Sequence, residues 1–443
     1  MKIGIAAWMC VWLACLWGCA AKGSADAVPA DAPGVAEEAD AAAPKETADA
    51  SGVAEEADAA APKETADAPG VVEEANAAAP QNTADAAVQQ AEALAAEGRY
   101  GEALRVIETA EIAHGRMAVL EEAFERIYDA APTYNATPRK VGEDEISAVK
   151  KLGGGSTLVY RLIKDKKTYA AFKPRQTRKQ SNPRSEIAAY RFCPLMRCRF
   201  DVPVNLPVWF TYRQFSGLYA RLPSNPADEL RELEVVHVEA EDRVEGTQKA
   251  WIAEYALFPI EMEDWWKALF EKPKAVLQAA PATAMLEDER LAKHPDGVKI
   301  AARLEKHFGT MTQYDLALQI SNLLVFDFLL NNWDRYSGTR AFWGVNCQFS
   351  HGRFMSIDNG AALSQTPHPK PERHLRGIRR FSRLTYEAIG ALDHDRTLAR
   401  LYPNATDQEK DRFETFWKQR GKYLNYIQSL VAEYGETEVL FFD

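Results

Sequence analysis

From Tyr314 to Arg335 the chain reads YDLALQISNLLVFDFLLNNWDR, a helical stretch too apolar to lie on a surface. Whatever else the protein folds into, it must contain a core that buries this helix. With 443 residues, 47% of them apolar, the chain has enough material for at least one such core. The helix ends in Asn331-Asn332-Trp333-Asp334-Arg335. Some two dozen residues later a strand-like run, GRFMSIDNGAAL, ends in Asp358-Asn359-Gly360. Two carboxylates are thus delivered by the ends of buried elements.

That arrangement suits phosphoryl transfer, in which one carboxylate accepts the proton of an attacking hydroxyl and the other holds a divalent metal against phosphate oxygens. Asp334 and Asp358 would fill those roles. The plain alternative is a capped helix end with an Asp334–Arg335 surface pair, followed by a tight turn at Asp358. The region upstream bears on the choice. ISAVKKLGGGSTLVYRLIKDKKTYAAFKP reads as strand, glycine loop, strand, hairpin, strand. Gly153, Gly154 and Gly155 let backbone N–H groups come close to phosphate oxygens, and Ser156 and Thr157 add hydroxyls; taken alone, such a triplet is more often a plain flexible turn. Lys173 ends an apolar strand, where burial without an anionic partner is costly. Glu186, opening the helix in RSEIAAYRF, supplies that partner, in the way that a strand Lys and a helix Glu orient the cation on nucleotide phosphates. Singly, each could be a solvated Lys or a first-turn Glu favoured by the helix dipole. Glycine loop, Lys, Glu, Asp and Asp in this order is a far rarer coincidence.

The N-terminus is a separate matter. MKIGIAAWMCVWLACLWGC has one early Lys and a short apolar run, the pattern of a secretory signal, and its end, LWGC, resembles a bacterial lipobox with Cys19 as the acylated residue. Ordinary signal cleavage just beyond is the alternative. Next come three copies of an 18-residue repeat beginning at Ala30, Ala48 and Ala66, rich in Ala and Glu, broken by Pro and Gly, and poor in large apolar side chains. Such a segment cannot bury enough surface to offset its ordering entropy, so a disordered tether is expected rather than a solenoid. Between Ala20 and Ala86 there are 15 acidic residues against 3 lysines, which accounts for the whole net charge of −11. The remainder is close to neutral, and nothing in it argues for nucleic acid as a partner. From Val88 a helical pattern resembles a single tetratricopeptide unit, which either packs on the body or pairs with MAVLEEAFERIYDA. Cys193, Cys198 and Cys347 remain as free thiols or disulfide candidates, and no second Cys/His pair completes a zinc site.

From about Val141 onward the chain resembles the atypical kinases of the secretory pathway, of the Golgi casein-kinase and four-jointed type, and more distantly HipA-like and phosphoinositide 3-/4-kinases. SEIAAYRFCPLMRCRFDVPVNLP resembles their helix and Val-Pro passage, FLLNNWDR their catalytic loop and SIDNGAAL their metal-binding loop. The resemblance implies an α+β, two-lobed kinase-like fold, with a small antiparallel sheet and one helix in the first lobe and a mostly helical second lobe. The organisation that follows is signal peptide 1–19, tether 20–86, helical hairpin 87–130, first lobe and hinge 141–257, and second lobe 258–443. It also implies a Lys173–Glu186 ion pair, Asp334 as general base, and Asp358 with Glu186 holding Mg or Mn beside ATP. VEGTQKAWIAEYAL resembles the hinge strand, whose Trp251 and Ile252 would line the adenine slot; a core strand is the other reading. Expected partners are a protein or small-molecule phosphoacceptor and a membrane, reached through the N-terminal lipid at the cell envelope, on the outer membrane or facing the periplasm. The chain also departs from the pattern. Tyr336 stands where His is common, and Thr339 or Arg340 where a metal-supporting Asn or Glu is expected, with Asn346 as a substitute farther along. A pseudokinase scaffold is therefore the rival to an active enzyme.

Overall fold

The protein is described by a computed structural model over residues 75–152, 157–178, 181–219, 234–336, 344 and 346–443, with side chains from 83 onward apart from those of 218 and 219. The leader with Cys19, residues 153–156 of the glycine loop, and Thr339 and Arg340 lie outside the described residues.

Among the described residues three helices come first: α1 (Ala75–Ala96), α2 (Tyr100–His114) and α3 (Ala118–Ala130). Helix α1 starts inside the stretch read from sequence as tether. Its Ala-rich run is permissive for helix, and Ala84, Val88 and Ala91 find an apolar surface to bury. The unit pairs with the MAVLEEAFERIYDA helix and also packs on the body. Arg197 of the body, buried under the Phe124 ring, donates to Glu111 at 2.7 and 3.0 Å and to Glu121 at 3.2 Å.

The small lobe is a seven-stranded sheet. Its strands are β1 (Arg139–Lys140), β2 (Ala148–Lys151), β3 (Tyr160–Lys164), β4 (Lys167–Pro174), β5 (Asn205–Thr211), β6 (His237–Val238) and β7 (Arg243–Ala250). They lie in the order β1-β5-β7-β4-β3-β2, with β6 on β7, antiparallel throughout except for β1 on β5. One face is closed by Phe172, Phe210 and Val208 together with Phe215 from a short helix, α5 (Tyr212–Tyr219), so among the described residues this lobe carries a further short helix beside the one expected. Gly246 is required here, because a Cβ would collide with the Phe172 ring and the Lys173 carbonyl. The other face meets α4 (Pro183–Leu195), which starts with Asn182 as N-cap and Pro183 at the first helical position.

Helix α4 ties the lobes together: its first turn reaches the sheet, while Phe192 packs on Phe326 and Phe416 of the helical lobe at 6.1 and 5.0 Å. That lobe is built round α7 (Gln313–Leu329), flanked by α6 (Gly297–Phe308) and α8 (Asp407–Tyr434). Every residue of α7 from Leu316 to Leu329 is buried, as its composition demands, and Thr312 with Asp315 forms a capping box at its start. A small sheet of β8 (Ala256–Leu257), β9 (Cys347–Ser350) and β10 (Arg353–Ser356) lies in the order β10-β9-β8 and carries the chain into Asp358. The architecture is the expected two-lobed α+β one. Cys193 and Cys198 are joined as a disulfide, which closes the end of α4, and Cys347 is a buried free thiol.

Candidate active site

Strand β4 delivers Lys173 to the face covered by α4, where its ammonium is 1% exposed and lies 3.1 Å from Glu186 Oε1. The same ammonium contacts the Asp358 carboxylate. A second lysine arrives from β7: Lys249 Nζ stands 2.9 Å from Glu186 Oε2. The Asn359 backbone N–H donates to that same oxygen at 2.9 Å. Two lysines and two carboxylates, from two strands, a helix and a loop, therefore form one balanced cluster. Burial works to lower the Lys173 ammonium, but Asp358 and Glu186 more than offset it and hold it above its ordinary value. Burial likewise pushes the Asp358 carboxyl up, while Lys173 and Lys249 prevail and bring it down to about 2. Asp358 sits in the left-handed region, φ 57°, and its side chain remains 33% exposed, open to an incoming group.

The Asp334 loop is tied to the Asp358 loop through Arg335. Its guanidinium is fully buried, forks onto Asp327 of α7 at 3.0 to 3.2 Å, and donates to Ser356 Oγ (2.6 Å), Asn359 Oδ1 (2.9 Å) and the Ile357 carbonyl (3.1 Å). The surface-pair alternative thus fails: Arg335 turns inward, to a carboxylate eight residues back, because Asp327 would otherwise be an uncompensated charge inside an apolar helix. Tyr336, where a His is common, is also buried; its hydroxyl donates to Asp327 Oδ2 at 3.0 Å and its ring stacks on His374 at 3.9 Å. Burial pushes this phenol well above its ordinary range, so it stays a donor. Asn332 reaches Asn359 Oδ1 at 3.0 Å, and Asn346 Nδ2 donates to the Asp334 carbonyl at 3.1 Å, which places Asn346 beside the loop. Asp334 itself is partly exposed, between the buried Asn332 and Arg335.

Of the residues singled out from sequence, Lys173, Glu186 and Asp358 are brought into contact, and Asp334 is linked to them through Arg335 and Asn359. Trp251 follows β7, with its ring 4.9 Å from the Arg161 guanidinium. Arg161, Ala171 and Lys249 are register partners across β3, β4 and β7, so they share the face of Lys173. Ile252 lines a separate cavity between the helical unit and the body, and Trp251 borders that cavity too. The glycine loop's own residues, Gly153 to Gly155 and Ser156, and Cys19 are outside the described residues. Two positions escape sequence reasoning. Lys249 looks like an ordinary polar strand residue, and only the register with Ala171 turns it toward Glu186. Gln176, buried in a loop, holds Leu158 at the end of the glycine loop by accepting from its N–H at 2.9 Å and donating to its carbonyl at 3.1 Å.

By chemical type the carboxylates of Asp358 and Glu186 suit a hard divalent cation, and Mg²⁺-type sites are commonly completed by phosphate oxygens and water round one or two carboxylates. Asp358 is the open one of the two, since both Glu186 oxygens are engaged, by Lys173 on one side and by Lys249 and the Asn359 N–H on the other. Among the described residues no cluster of three or more acidic, His or Cys side chains forms a cage of its own. No protein-family model matches the chain, and no curated protein matches it. Among solved structures, one described as the crystal structure of the Golgi casein kinase with Mn/ADP bound is similar to it at 14% identity and a TM-score of 0.43, over 71% of this chain and 79% of that one.

Proposed function

We propose that the protein is a kinase-like phosphotransferase that moves the γ-phosphoryl group of ATP to a hydroxyl of a protein or small molecule. The observation that carries this reading is the convergence of Lys173, Glu186 and Asp358. Lys173 would leave Asp358 for the nucleotide phosphates while Glu186 keeps it in place. Gln176 steadies the base of the glycine loop. Asp334 takes the proton of the acceptor hydroxyl as its oxygen bonds to the γ-phosphorus, the bridging P–O bond breaks and ADP leaves. Mg or Mn held by Asp358 and Glu186 would neutralise phosphate charge.

A second reading has an observation in its favour. Both carboxylates proposed for the metal are already neutralised, Asp358 by Lys173 and Glu186 by Lys249. A protein of this kind could serve as a nucleotide-sensing or protein-binding scaffold instead. Incubating the protein with γ-labelled ATP and Mn or Mg separates the two: label transfer that Asp358→Ala abolishes supports the enzyme, and nucleotide binding without any transfer supports the scaffold.

Export to the cell envelope belongs to the same proposal. The Cys193–Cys198 disulfide is of the kind that persists in oxidising compartments, and the leader carries the lipobox-like LWGC. Among the described residues no helix is long and apolar enough to cross a membrane; the attachment proposed from the leader is lipid on Cys19. Replacing Cys19 by Ser should move the protein from the membrane to the soluble fraction; unchanged membrane association would refute the anchor.

A further inference from the structure

Between the helical unit and the segment Ala250–Glu254 lies a cavity of about 900 Å³, within the range of roughly 300–1,000 Å³ usual for small-molecule sites. Neither lysine of the cluster nor Glu186, Asp334 or Asp358 lines it. Its walls come from α2 and the turn before it, from the stretch leading out of α4 into β5, and from the turn between β9 and β10.

Charge in this cavity is unevenly committed. Arg99 is held by Glu97 and Glu102 at 3.0 and 2.6 Å, and Arg353 and Arg105 both face Asp201, at 2.9 and 3.7 Å. Glu108 differs. It is only 9% exposed, and among the described residues no hydrogen bond or ion pair reaches its carboxyl. Burial pushes that carboxyl up against the through-space pull of Arg199, Arg353 and Arg197, none of which comes within ion-pair distance. Arg197 is already spent on Glu111 and Glu121. Among the described residues this carboxyl therefore has no charged group at contact distance, and an incoming cation would favour its ionised form. Tyr134 and Tyr190, stacked at 4.9 Å, border the same cavity with Trp251, and aromatic faces attract cations.

We propose that this cavity is a second ligand site that takes an organic cation, an ammonium or guanidinium on a short apolar stem, with Glu108 as its counter-ion. The occupant would touch the chain leaving α4, which carries Glu186, and the chain leaving β7, which carries Lys249, so both elements meeting in the cluster would feel it. The inference does not depend on the catalytic reading.

The test is calorimetric titration of the full chain with phenethylammonium and with N-acetyl-arginine methylamide, against neutral 2-phenylethanol. At least one cation should bind saturably, the neutral compound at least tenfold more weakly, and Glu108→Gln should lose tenfold or more in affinity for the cation. Tighter binding of the arginine amide assigns the cation to a peptide side chain, and tighter binding of phenethylammonium to a free amine. Glu108→Gln removes an uncompensated charge and should fold. As a second variant, Gly101→Phe places a ring where a Cβ meets open space beside the cavity, and it should block binding without lowering the melting temperature of the unliganded protein. Absence of saturable binding, equal binding of 2-phenylethanol, or unchanged binding by either variant overturns the proposal.

Discussion

Asp334→Asn is expected to lower phosphoryl-transfer turnover by roughly 10²-fold or more while nucleotide binding persists. The substitution removes the proton acceptor and leaves the Lys173, Glu186, Lys249 and Asp358 cluster with its charges intact. Its neighbour Arg335, which positions the loop, keeps all its partners. Asp358→Ala should behave otherwise: it takes away a carboxylate proposed to hold the metal and one anion facing Lys173, so metal-dependent nucleotide binding and turnover fall together. Lys173→Ala should follow Asp358→Ala, because the cation is shared between Glu186 and the phosphates. Nucleotide titrations and single-turnover transfer assays on the three variants read the pattern. If Asp334→Asn transfers phosphate as fast as the parent protein, the base is elsewhere. If nucleotide and Mn change the melting of neither the parent nor any variant, the cluster is structural.

Arg335→Ala should destabilise the fold by about 3–5 kcal/mol, the usual penalty for removing one partner of a buried ion pair. The side chain is fully buried, so solvent cannot replace it. Among the described residues the Asp327 carboxylate would keep the Tyr336 hydroxyl alone, and Ser356 Oγ, Asn359 Oδ1 and the Ile357 carbonyl would each lose a donor. Burial works to lower the Arg335 guanidinium, but Asp327 outweighs it and keeps the charge on. The penalty should also depend on pH. Burial already pushes the Asp327 carboxyl up, and without Arg335 it rises further. A carboxyl with a folded pKa above its unfolded value takes up a proton on folding, so its stability contribution is present at low pH and is lost as pH rises through the folded value. Denaturant midpoints of Arg335→Ala should therefore lie closer to those of the parent at pH 5 than at pH 8. A penalty under about 1 kcal/mol, of the size typical for an exposed pair, would mean that Arg335 is not the buried tie described here.

Lys173, Glu186 and Asp358 could be read from the sequence for one reason: each is an ionisable residue at the edge of an apolar element, where only a partner makes it tolerable. Asp327 carries the same signal, an acid inside LLVFDFLL, but its partner lies eight residues later across the end of the helix, beyond what local spacing identifies. The Asp-Arg sequence drew attention to Asp334, whereas the arginine beside it does the structural tying. Lys249 and Gln176 carried no local signal, since a polar residue in a strand or loop is unremarkable until its neighbours are known. Helix α1 starts earlier than local pattern predicts because an Ala-rich segment with Pro and Gly has no strong preference of its own, and its helix depends on the buried faces of α2 and α3.

The order of elements, the central buried helix and the main charged residues were determined by the sequence alone, because hydrophobic patterning and the cost of burying charge act within a few residues of each position. Which charges neutralise which was decided only in three dimensions. Lys249 reaches Glu186 through strand register, Arg335 joins Asp327 to Asn359 through the docking of β10 on α7, and Glu108 is buried with no ion-pair partner among the described residues. Electrostatic partnership in a protein interior depends on distances of a few ångströms between segments far apart in the chain, and local patterning does not encode those distances.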